Sequence, residues 1–189
     1  MTRMDAEREI TRQLEPGERL LWSGSPREGL VLRPSDAFLI PFSLMWGGFA
    51  IVWEFMAFRS GAPFFFPLWG VPFVLVGLYL IVGRFFVDAA MRSRTAYGLT
   101  DRRILIIAGL FSRSIKSVAL KTLTDITLTE RRDRSGTISF GPLSSVARFY
   151  GGSWPGASAT LPPCFELIPG AKEVHARIRQ AQVSAQAGA

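Results

Sequence analysis

Between Ala37 and Val87 the chain carries only three charged residues, Glu54, Arg59 and Arg84, within a run of Phe, Trp, Leu, Val and Ile. The helices of an ordinary soluble domain keep a polar side towards water; this block has none. It divides at Arg59-Ser60-Gly61-Ala62 into "SDAFLIPFSLMWGGFAIVWEFMAF" (35–58) and "PFFFPLWGVPFVLVGLYLIVGRFF" (63–86). Ser35 or Asp36 is placed to cap the first. Pro63, Pro67 and Pro72 crowd the start of the second, so regular helix is expected from around Pro67. A helix of about 22 residues rises ~33 Å, close to the ~30 Å of a bilayer's hydrocarbon core. The pattern predicts a transmembrane hairpin over 36–87, with helices over 36–58 and 63–87, antiparallel because the connection is so short. A pair of soluble core helices is the alternative; two such lengths in succession without a polar face speak against it.

Arginines at the helix ends set the orientation. Arg19, Arg27 and Arg33 precede the first span, Arg92, Arg94, Arg102 and Arg103 follow the second, and the connection holds only Arg59. Both termini are therefore expected in the cytoplasm, on a two-pass protein of the inner (plasma) membrane. The charged first 35 residues argue against a signal peptide. They balance in charge, as does the hairpin, so the whole net charge of +7 lies in residues 88–189. Such a domain suits anionic headgroups or an acidic partner; it is equally what a solvated surface obeying the topology rule would carry.

Four residues of the hairpin are candidate intramembrane contacts: Glu54, Gly70, Gly77 and Arg84. Gly70, Gly77 and Arg84 recur every seven residues on one stripe of the second helix, and Gly47-Gly48 sits in the first. Small residues let helices approach closely in lipid, although glycine is common in such helices anyway. Glu54 and Arg84 lie at opposite depths and are not expected to pair. Arg84 is expected to snorkel to the inner interface. For Glu54 the outer interface, Arg59, another subunit and a proton-handling role all stand open.

Behind the hairpin the period changes. In "YGLTDRRILIIAGL" (97–110), Tyr97 and Leu99 alternate with Gly98 and Thr100, "TDRR" turns, and "ILIIAGL" is apolar on both faces, as in a strand covered twice. "IKSVAL" reads as the next strand. "TLTDITLTE" and "GTISFG" flank "RRDRSG" as a hairpin that places Ile126 and Leu128 on one face with Ile138 and Phe140. Residues 142–164 are rich in Gly, Ser and Pro and long for a loop; their aromatics either fold back on the domain or meet a peptide or headgroups. After Pro169-Gly170, Ala171, Val174, Ile178 and Ala181 share one helical face, and the chain is expected to fray after Gln182. Ahead of the hairpin, "EREITRQL" suits a short helix with Ile10 and Leu14 on one side. "ERLLWSG" and "GLVLR" suit two strands that join the later β-domain. The expected units are 1–35, packing on the cytoplasmic domain; 36–87, the hairpin; 88–183, the β-domain with its helix; and a disordered tail at 184–189.

Chemistry is sparse. One cysteine, Cys164, and one histidine, His175, leave no disulfide and no metal spacing. No nucleophile–base pair or phosphate loop is visible, so neither an enzyme nor a cofactor is expected. The basic charge comes without a nucleic-acid motif, and no nucleic-acid partner is expected.

"GERLLWSGSPREG", two apolar spans, "TAYGLTDRRILIIAGL", "GTISFG" and "FELIPGAKEVHARIRQ" together resemble the bacterial pleckstrin-homology-like (PH-like) membrane proteins, over nearly the whole chain. The most specific part is Tyr-x-Leu-Thr-x-Arg-Arg-Ile, from Tyr97 to Ile104. The resemblance implies a membrane protein whose two-helix hairpin carries a mostly-β PH-like barrel of roughly seven strands, plugged by a C-terminal α-helix, with no catalytic residues. Eukaryotic relatives of the fold often bind inositol phosphates through a long basic first hairpin; here that turn holds only Arg102 and Arg103. The expected role is an interaction module at the cytoplasmic face that docks a membrane or cytoplasmic protein, in assembling or stabilising a membrane complex. Anionic-lipid sensing is the alternative. Candidate contacts for partner or lipid are Arg102, Arg103, Arg131, Arg132, Arg134, Arg148, Phe149, Tyr150 and Trp154.

Overall fold

A computed structural model of the chain describes residues 3–33, 35–61, 63–110, 113–131, 133–141 and 162–187. Its two apolar helices are α2 (Asp36–Arg59) and a longer helix composed of α3 (Phe65–Leu78), one π-helical turn (Tyr79–Gly83) and α4 (Arg84–Ser93). Both are long and apolar enough to cross a membrane, and only 17% and 11% of their most apolar windows are buried. Phe49, Phe58, Phe64 and Trp69 are among the many large side chains left exposed along them. The second helix begins two residues before Pro67, with Pro72 inside it, and runs six residues past Val87. That extension is polar, carrying Asp88 and Arg92, and only Arg94 and Thr95 separate it from the strand that follows, Ala96–Thr100.

The β-domain has two antiparallel sheets. The first orders β1 (Leu20–Gly24), β2 (Ala96–Thr100), β3 (Arg103–Ala108) and β4 (Ser114–Ala119); the second orders β5 (Ile126–Glu130), β6 (Ser135–Phe140) and β7 (Cys164–Pro169). Pairing of β1 with β2, Trp22 opposite Leu99, makes the hairpin an insertion between neighbouring strands. Residues 29–33 form no strand. Arg92 donates to the carbonyls of Arg27 and Gly29, both at 2.7 Å, so a guanidinium takes the place of a ladder.

The double apolar character of β3 has a plain cause. Ile104 and Ile106 face the core between the sheets, whereas Leu105 and Ile107 face α1 (Arg3–Thr11), which lays Ala6 and Ile10 over the outer surface. Close approach of α1 depends on Gly98, where a Cβ would stand 2.5 Å from Ile10. The β5–β6 register is Ile126 opposite Phe140 and Leu128 opposite Ile138, with Thr127 and Thr129 facing outward. Phe165 of β7, fully buried, gathers Tyr97, Phe140 and Trp22 at ring distances of 4.7, 5.1 and 5.5 Å. The last helix, α5 (Ala171–Ala187), closes the core with Ala171, Val174, Ile178 and Ala181. It continues past Gln182, whose amide donates to the Leu123 carbonyl at 2.6 Å, and Ala185 still packs on the core. The anchoring of Gln182 is what overturns the frayed end expected there.

Candidate functional site

The hairpin's seam repeats every seven residues on the second helix, at Gly70, Gly77 and Arg84. A Cβ on Gly77 would come within 2.8 Å of the Gly47 Cα, and a Cβ on Gly70 would collide with the Glu54 carboxyl group. One further step along, Arg84 pairs with Asp36 at 2.7 Å. Gly70, Gly77 and Arg84 thus meet Glu54, Gly47 and Asp36 across the hairpin. The Arg84 side chain is 7% exposed within the protein, held by the Asp36 carboxylate at the first residue of α2. Glu54 does not reach Arg59, which instead lies over the Phe55 ring at 5.5 Å. Glu54 Oε2 is buried without a hydrogen-bond partner among the described residues.

Beyond Arg84 the pairing becomes a network that fastens the hairpin to the β-domain. Arg33 bridges Asp88 of α4 at 2.9 Å and Glu166 of β7 at 2.7 Å. Arg92 returns to Asp88 at 3.0 Å while holding the 27–29 carbonyls. The Asp36 carboxylate also accepts the Arg33 backbone N–H at 2.6 Å. Tyr97 adds a neutral tie, its hydroxyl accepting the Glu166 N–H at 3.0 Å; burial, then the nearby Glu166 charge, push that phenol above its ordinary pKa. Three arginines, Arg33, Arg84 and Arg92, are matched by Asp36, Asp88 and Glu166. None but Arg84 stood out in the sequence as a contact: Arg33 finds its partners far along the chain, and the Asp88–Arg92 pair, one helical turn apart, does not by itself point to the 27–29 carbonyls.

The candidate contact residues divide. Arg102 is exposed at the β2–β3 turn. Arg103 is committed to the chain itself: its Nε and one terminal nitrogen grip both oxygens of Glu18 at 2.9 Å, and the other reaches Glu15 at 3.0 Å. Thr100 completes this lock by donating to Glu18 at 2.7 Å. Burial raises the Glu18 pKa, but the Arg103, Glu15 N–H and Thr100 hydrogen bonds outweigh it and bring the group down to about 2. The Tyr-x-Leu-Thr-x-Arg-Arg-Ile stretch is thereby accounted for structurally: Tyr97 ties the sheets, Leu99 and Ile104 fill the core, and Thr100 with Arg103 pins the approach to β1.

Arg131 and Arg134 are exposed at the β5–β6 turn. That turn leans on the segment before α2: Arg131 reaches the Leu32 carbonyl at 3.5 Å, and Arg27 pairs with Asp133. Asp133 is held below its ordinary pKa by the Ser135 hydroxyl and N–H. Arg132, Arg148, Phe149, Tyr150 and Trp154 lie outside the described residues. Cys164 is half-buried, and burial, then Glu166, push its thiol up to about 12, so it is not a ready nucleophile. His175 is lowered by burial and by Arg179.

The family described as Bacterial PH domain matches residues 38–164. No curated protein and no solved structure matches the chain. The matched span takes in both long apolar helices as well as β2 to β6. PH-like domains act in general as protein- or lipid-interaction modules. With seven described strands in two sheets, a closing C-terminal helix and this match over more than half its length, the chain belongs to the bacterial PH domain family.

Proposed function

We propose that the protein is a membrane-anchored interaction module, with α2 and the α3–α4 helix spanning the inner membrane, both termini cytoplasmic, and the β-domain docking a protein partner in the assembly or stabilisation of a membrane complex. The observation that carries this reading is the joint of Arg33, Arg84, Arg92, Asp36, Asp88 and Glu166. A domain hung on a loose linker merely gains effective concentration near its partners. One locked to its helices by a buried ion pair and three half-buried ones presents a fixed face at a fixed height. The exposed apolar length of the helices and the arginine bias towards one side support the membrane placement.

The docking edge in this reading is β4. Among the described strands it pairs only with β3, and Ile115 is 46% exposed on it. Such an edge accepts a partner strand through main-chain hydrogen bonds. Photoreactive residues at Ile115 and, as a comparison, at Arg102 test it in native membranes. A discrete protein adduct from position 115 is expected. No adduct from either position, together with an empty pull-down from mild detergent, would remove the reading. Anionic-lipid contact is favoured as a second reading by one observation, the Arg131 guanidinium beside the start of α2.

A further inference from the structure

The strap from Gly29 to Arg33 is fixed without a ladder. Arg92 holds its start, Arg131 its Leu32 carbonyl, and the Asp36 carboxylate accepts the Arg33 N–H. Val31 turns inward at 9% exposure, while Leu30 and Leu32 turn outward at 65% and 66%. A segment pinned this firmly cannot fold its leucines away. They stand just ahead of α2, whose Phe38 is itself 66% exposed, so the apolar surface of the hairpin continues onto the strap. Beside them the β5–β6 turn offers the exposed guanidinium groups of Arg131 and Arg134. Leucines flanked by arginines at the end of a helix of spanning length match the acyl boundary and the phosphates above it.

We propose that the strap and the β5–β6 turn form a second, peripheral lipid site, in which Leu30 and Leu32 enter the acyl boundary of the inner leaflet and Arg131 and Arg134 contact anionic headgroups. The site rests on the reading of α2 and α3–α4 as spans, and it sets the face of the β-domain that lies against the bilayer. It is separate from the β4 edge, which stays free for a protein.

The test uses the full chain reconstituted in vesicles containing lipids spin-labelled near the headgroup or deep in the chain. A fluorophore is attached to Leu32→Cys, Phe49→Cys or Arg102→Cys, each in a Cys164→Ala background. At 32, shallow labels are expected to quench at least twofold more than deep ones; at 49 the order is reversed; at 102 neither quenches. Quenching at 49 without quenching at 32 overturns the lipid site alone, including the case in which a blue-shifted fluorophore at 32 reports a protein occupant. No quenching at 49 overturns the spanning hairpin and the lipid site with it. In phosphatidylglycerol vesicles R131E/R134E is expected to halve the quenching at 32 and leave that at 49 intact; an unchanged signal at 32 removes the arginines from the site. In phosphatidylcholine vesicles the same pair is expected to change nothing, and an equal loss there removes the anionic headgroup as their target.

Discussion

Glu18 and Arg103 show how much of the sequence's most specific stretch is spent on holding the chain together. The Glu18 side chain is fully buried, and its carboxyl is lowered from an ordinary 4.5 to about 2. A depressed folded-state pKa means that the lock is fully present above about 4.5 and is lost as pH falls towards 2. Acid titration of the full chain in micelles, followed by Trp22 fluorescence, is expected to show a loss of stability within that window. E18Q should remove most of the pH dependence and cost about 3 kcal/mol near neutrality. At Gly98 a valine would drive into Ile10, so G98V should cost about 1–3 kcal/mol and release α1 to proteolysis near Thr11. A mutant with an unchanged melting midpoint would contradict the close α1–β2 contact. Residues like these were half-legible. Arg103 announces a charge but not its partner, because Glu18 lies on the far side of the hairpin in sequence. Ser35 or Asp36 reads as a helix cap, yet no side-chain cap bond forms there; one Asp36 oxygen accepts the Arg33 N–H, and the other's bond to Arg84 depends on how two helices rotate against each other.

Elements were the most legible scale. The alternation of Ile126, Leu128, Ile138 and Phe140 gave both strands and their register, since a one-residue slip would expose all four. The seven-residue stripe of Gly70, Gly77 and Arg84 marked the side of the helix that faces α2. The strap failed to read as irregular because "GLVLR" has strand composition; only the arginines that occupy its carbonyls decide against a ladder. Two predictions belong here. G77L forces a side chain against the Gly47 backbone and should part the helices, seen as lower resistance to unfolding in mixed micelles; wild-type resistance would mean the seam does not carry the hairpin. Breaking the buried Asp36–Arg84 pair from either side, by D36N or R84Q, should cost about 3–5 kcal/mol, with the double variant well short of the sum. Additive costs would show the two side chains to be independent.

At the scale of the whole molecule the order of elements matters more than any one of them. Inserting the hairpin between β1 and β2 means that the sheet cannot complete itself without gathering chain from both sides of the apolar block. On the spanning reading, alkaline washing of vesicles should leave the full chain in the membrane, and tags on both ends should be reached only from the cytoplasmic side; a washed-out chain or an outward tag would reverse that placement. The single π-helical turn at Tyr79–Gly83 has a consequence for the same assembly. It places one more residue in that turn than an α-helix would, which offsets the angular phase of everything downstream by about 100°. Asp88 and Arg92 find Arg33 and the strap carbonyls only at that phase. Winding the same residues as an uninterrupted α-helix would swing both side chains away from their partners, whereas deleting one residue from the turn would give a straight helix with that gearing kept.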